Sequence, residues 1–127
     1  MIFRFFGSKN KNTRISSVKL FEESREEIKI SIHASILGNH DLVIEGIDSG
    51  SLVEQLKGDW DYEYYLTVKS PDKELLMRKI GESKVNITND KELLNWIQDN
   101  YSGNHALSSF QKLLEAQNIE YKMYSWR

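Results

Sequence analysis

The chain contains no cysteine, which excludes thiolate zinc sites, iron–sulfur clusters, cysteine nucleophiles and any disulfide framework. Long apolar runs are also missing: no window approaches the ~20 residues that a membrane helix requires. The opening Met1-Ile2-Phe3-Arg4-Phe5-Phe6 is too short, and is broken by an arginine, to serve as the apolar core of a signal peptide. Neither sign of charge dominates, and a net charge of −2 does not indicate a nucleic-acid binder. There is no Gly-x-Ser-x-Gly elbow, no Gly-x-x-x-x-Gly-Lys phosphate loop, no internal repeat and no low-complexity stretch. His33, His40 and His105 have neither the i, i+4 pairing nor the short spacing of a zinc site, so they read as surface histidines. These absences lead us to expect one soluble cytoplasmic domain over residues 1–127, with no enzyme chemistry, no cofactor, no metal, no membrane contact and no nucleic-acid partner. With 127 residues, such a domain buries about 65 to 70% of its unfolded surface and can hold a core without a staple.

The charge that is present is unevenly placed. Residues 1 to 21 carry five basic side chains and no acid, whereas residues 41 to 63 carry seven acids and one lysine, a local charge of −6. Hydropathy alternates with a period of two in several segments, the signature of strands with one buried face. A short strand-like start at 1–6 is followed by an alternating segment at 14–22. The clearest strand is 26–37, where Ile28, Ile30, Ile32, Ala34 and Ile36 share one face and Lys29, Ser31, His33 and Ser35 the other. After a turn at Gly38-Asn39-His40-Asp41, residues 42–47 pair back as a hairpin. Gly46-Ile47-Asp48-Ser49-Gly50 lacks phosphate-loop spacing and reads as a turn.

Ser51 and Glu54 have capping-box spacing, which predicts a short helix ending near Gly58. Residues 59–69 form an aromatic-rich strand, with Trp60, Tyr62, Tyr64, Leu66 and Val68 facing the core and Asp59, Asp61, Glu63, Tyr65 and Thr67 facing out. Ser70 as cap with Pro71 behind it starts a helix that Gly81 stops, its buried stripe being Leu75, Leu76 and Ile80. Asn89 with Glu92 caps a second helix carrying Leu93, Leu94, Trp96 and Ile97. Gly103-Asn104 separates it from a third with Leu107, Phe110, Leu113 and Leu114. Residues 119–126 close the chain as a strand with Ile119, Tyr121 and Met123 inward. This order predicts an α+β domain with a largely antiparallel sheet of five to six strands and helices packed on one face.

The candidate site is the acidic face of the 59–69 strand. Alternation brings Asp59, Asp61 and Glu63 into one row, with about 7 Å between successive Cα positions. Such a row is either neutralised by cross-strand Lys or Arg, or is a patch that meets a basic partner. A metal or catalytic acid pair would need further ligands that the spacing does not supply. Tyr65 on the acidic face and Trp126 near the end are the aromatics expected to stand as exposed anchors.

Leu42-Val43-Ile44-Glu45-Gly46-Ile47-Asp48, then Asp61-Tyr62-Glu63-Tyr64 and Thr67-Val68, resembles small bacterial immunity proteins of contact-dependent inhibition and other polymorphic toxin systems. The later pattern of Leu93, Trp96, Phe110, Leu114, Ile119, Tyr121 and Trp126 is similar to the same group. The resemblance covers roughly Asp41 to the end and implies no catalytic residues. It implies a non-enzymatic domain that binds and neutralises a cognate toxin, plausibly a basic nuclease, with Asp59, Asp61, Glu63, Tyr65 and Trp126 at the interface. The alternative is a small enzyme or ligand-binding domain whose 59–63 acids line a pocket.

Overall fold

The computed structural model describes residues 13–51, 55 and 61–126. The expected strand at 1–6, the body of the expected helix at 51–58, and Asp59 and Trp60 lie outside the described residues. Five strands form one antiparallel sheet in chain order: β1 (Arg14–Arg25), β2 (Ile28–Leu37), β3 (Leu42–Ser49), β4 (Asp61–Val68) and β5 (Lys122–Trp126). Between β4 and β5 run α1 (Ser70–Gly81), α2 (Asp90–Asn100) and α3 (Ala106–Ala116). The expected α+β architecture is therefore present.

The helices cover one face of the sheet, because the strands offer one continuous apolar face. Ile32, Ala34 and Ile36 of β2, Leu42 and Ile44 of β3, and Leu66 and Val68 of β4 pack with Leu76, Met77, Ile80, Leu93, Leu94, Ile97, Phe110 and Leu114 of the helices. Each of these strand positions sits two residues from the next, and the ladder places Ile36 opposite Leu42 and Leu42 opposite Val68.

Several boundaries differ from the sequence reading for identifiable reasons. β1 runs on to Arg25 and β2 starts at Ile28, since Glu26-Glu27 form a two-residue turn with Arg25 opposite Ile28. β3 extends to Ser49, so Gly46–Ser49 is strand and not turn; pairing with both Ile28–Leu37 and Asp61–Val68 holds it extended. β1 carries a bulge between Lys19 and Phe21 that turns Leu20 into the core. The carbonyls freed there accept from the end of α2 and the α2–α3 connection: Gln98 Nε2 donates to Lys19 O at 3.0 Å, and Gly103 N to Leu20 O at 2.9 Å.

The helix ends show how far local signals reach. Asn89 caps α2 as its spacing predicts, accepting from Glu92 N at 2.8 Å, while Glu92 accepts from Thr88 N and Thr88 Oγ1. At α1 the expected Ser70 cap is replaced. Lys69 holds the cap position without a side-chain bond, and Ser70 N donates instead to Asp41 Oδ1 at 2.9 Å, from the β2–β3 turn. α3 ends in a Schellman motif, with Asn118 left-handed at φ 56° and Ile119 N donating to Leu114 O at 2.8 Å. That closure uses Ile119 as the buried residue after the cap, so the last strand starts at Lys122 and not at 119.

Other departures concern burial. Met123, expected inward, is on the helix side opposite Leu66 but 41% exposed, because β5 is an edge strand. Tyr62 and Tyr64 are only half-buried, whereas Leu66 and Val68 further along the same face are fully enclosed. Ser35, expected on a polar face, is buried and its hydroxyl meets Ser17 Oγ at 2.7 Å. Lys73 on α1 is 1% exposed and pairs with Asp90 at 2.7 Å, an inward lysine that an apolar-stripe reading passes over.

Candidate functional site

The sheet face away from the helices holds the predicted residues. Alternation along β4 puts Asp61, Glu63, Tyr65 and Thr67 there, with Ile47 and Glu45 beside them on β3 and Tyr124 and the Trp126 position beside them on β5. This face closes toward Ser35 and Val43, which are buried, and opens toward Ile47, Glu63 and Asp61. Tyr124 at 52% and Ile47 at 39% are among the most exposed large apolar side chains of the described residues.

Glu63 and the two tyrosines form one unit. The Tyr65 hydroxyl donates to Glu63 Oε1 at 2.6 Å, and the Tyr65 ring stacks on Tyr124 with centroids 5.2 Å apart and planes at 25°. Burial, then the bond to Glu63, raises the Tyr65 pKa, so its hydroxyl stays a donor across the physiological range. Asp61 is exposed at the start of β4.

No basic residue stands opposite these acids in the ladder. Asp61 faces Ser49, and Glu63 faces Ile47 on one side and Trp126 on the other. A cation does reach this face, on another acid: Arg14 Nε and Nη2 each lie 2.6 Å from Glu45, opposite Tyr65, in a bidentate pair that raises the Arg14 pKa, and the guanidinium also acts electrostatically on Tyr65 and Tyr124. The structure thus brings together Asp61, Glu63, Tyr65 and the Trp126 backbone. Asp59 lies outside the described residues. Sequence reasoning missed Tyr124 and Ile47 as site members and missed Arg14–Glu45. Tyr124 had a signal, since it alternates onto the same face as Trp126, but a pair 31 residues apart had none.

Two open grooves of about 480 and 460 Å³ lie near the sheet, one between the start of α1 and residues 119–122, the other beside Tyr62 and Tyr64 and reaching Tyr124. Neither is lined by Asp61 or Glu63. His33 Nδ1 lies 3.2 Å from Ser31 Oγ, and His40 sits in the β2–β3 turn at φ 72°. Among the described residues no three His, Asp or Glu side chains are grouped to hold a metal ion, and no helix is long and apolar enough to cross a membrane. Comparison of the chain with protein-family models, with curated proteins and with solved structures finds no match.

Proposed function

We infer that this chain is a non-enzymatic protein-binding domain, an immunity protein that holds a basic cognate toxin against the outer face of β4 and β5. One observation carries the reading: a sheet face where Tyr124, 52% exposed, stacks on the half-buried Tyr65 beside Asp61 and Glu63, which have no cationic side chain opposite them in the ladder. Stacked tyrosines give large contact area at low entropic cost, and exposed acids steer a cationic partner toward them. A bound domain of this charge would also exclude nucleic acid from a basic active site. The alternative of an enzyme using the 59–63 acids has less behind it, because Asp61 and Glu63 line neither groove.

The test is to sequence the genes flanking this one and to co-express the chain with a toxin domain found there; flanking genes that encode no toxin count against the reading. The wild-type chain is expected to restore growth, while Asp61→Lys/Glu63→Lys and Tyr124→Ala lose protection and keep their circular dichroism spectra. Absence of rescue by the wild-type chain, or undiminished rescue by the charge-reversed variant, refutes the reading.

A further inference from the structure

On the helix side of the sheet, the face that is fully apolar at Leu42, Ile44, Leu66 and Val68 changes character toward its other end. There Gly46 lies opposite Tyr64, and Asp48 opposite Tyr62. A side chain at Gly46 would place its Cβ 2.1 Å from Tyr64 Cε2, so the tyrosine ring lies directly across its partner's bare backbone. In that position the Tyr64 hydroxyl donates to Asp48 Oδ1 at 2.9 Å. The Tyr62 ring stands 5.7 Å away, tilted by 40°. Both rings, with Leu107, Met123, Tyr124 and Ser125, line the open groove of about 460 Å³, a volume within the range of small-ligand sites.

Asp48 is half-buried behind these rings, and among the described residues no Lys, Arg or His forms an ion pair with it. The donor that meets it is a neutral phenol, so its negative charge stays at the hydroxyl end of the Tyr64 ring. Donation of the phenol proton to a carboxylate also makes the Tyr64 ring more electron-rich. An anion would be repelled here, and one carboxylate is too few oxygens for a divalent metal. A cation with an apolar body suits this lining: the tyrosine ring faces attract its charge, Leu107 and Met123 take its hydrocarbon, and Asp48, outside the groove at the Tyr64 hydroxyl, adds Coulomb attraction.

We propose that the groove lined by Tyr62, Tyr64, Leu107 and Met123 binds an organic cation, an alkylammonium or guanidinium head whose charge sits over the two tyrosines, with Asp48 behind the Tyr64 hydroxyl. The groove opens on the helix side of the sheet and shares Tyr124 with the partner face at the β5 edge; the proposal does not rest on the immunity reading.

The experiment is an NMR titration of the full chain with choline, with its neutral isostere 3,3-dimethylbutan-1-ol, and with N-acetyl-arginine amide. Saturable shifts of the Tyr62 and Tyr64 ring signals and the Met123 methyl are expected for a cation, with the isostere about tenfold weaker or worse. Asp48→Asn keeps an acceptor for the Tyr64 hydroxyl and is expected to weaken cation binding about tenfold without changing the isostere. Tyr62→Leu, which keeps apolar volume and loses the π face, gives a second variant should Asp48→Asn fold poorly. Binding of the arginine derivative alone identifies a peptide side chain as the source, and binding of choline as well extends the class to free amines. Equal affinity for choline and its isostere, or no saturable shift with either cation, overturns the proposal.

Discussion

Removing the carboxylate of Asp90 is expected to damage the fold far more than removing the lysine that it pairs with. The Lys73 side chain is 1% exposed and Asp90 is 28% exposed, with 2.7 Å between Nζ and Oδ1. Asp90→Ala leaves the buried ammonium with only Glu74, 3.8 Å away and itself 55% exposed, as a weaker partner. Stranding a buried charge in this way costs about 3 kcal/mol or more. Loss of an acid from the first turn of α2 adds about 0.5 kcal/mol. Lys73→Met has the opposite balance: it fills similar volume, removes the buried charge, and leaves Asp90 with partial access to water at a helix N-terminus. Its cost is expected to stay within about 1 kcal/mol of zero. The double variant should resemble Lys73→Met, giving a coupling of about 2 to 3 kcal/mol. Urea unfolding followed by circular dichroism measures all three, and Asp90→Ala should lower Tm by roughly 10 °C. Additive effects, or a Lys73→Met cost equal to that of Asp90→Ala, would refute the reasoning.

Gly46→Ala should cost about 1 to 3 kcal/mol by displacing the Tyr64 ring, and should cost much less in a Tyr64→Ala background; equal costs in the two backgrounds would mean that the ring is not the obstacle. Asn118→Gly should stabilise slightly and Asn118→Ala destabilise by about 1 kcal/mol, read by thermal unfolding, because the residue is left-handed at the end of α3. The Tyr64 and Tyr65 hydroxyls are both raised above the usual tyrosine value by burial, then by bonds to Asp48 and Glu63. The folded state therefore holds these protons more tightly than the unfolded chain. Their contribution is complete below about pH 10, the unfolded value, and is lost as pH rises above it. Absorbance titration at high pH should show both phenols ionising late, and Tyr64→Phe or Tyr65→Phe should flatten the alkaline fall in stability.

Much of the architecture is legible in the residues because it rests on local periodicity. Alternation in Ile28–Leu37 and Asp61–Val68 identifies two strands and assigns their faces, since a one-residue slip would turn every apolar side chain to water. The cap of α2 needs only residues within four positions of one another, so Asn89 and Glu92 announce it. Asp61, Glu63 and Tyr65 fall on one face for the same reason. What lies beyond a few residues of chain is decided by tertiary contact alone. Asp41 caps a helix that starts 29 residues later, Arg14 reaches Glu45 across β2, and Lys73 turns inward only because α2 brings Asp90 to meet it. How deeply each strand is covered is also a tertiary matter: Leu66 and Tyr64 belong to one face, yet helices enclose the first and leave the second beside an open groove. Period-two patterning specifies which way a side chain points. It carries no information about which distant segment will stand there, because that is set by the packing free energy of the assembled layers.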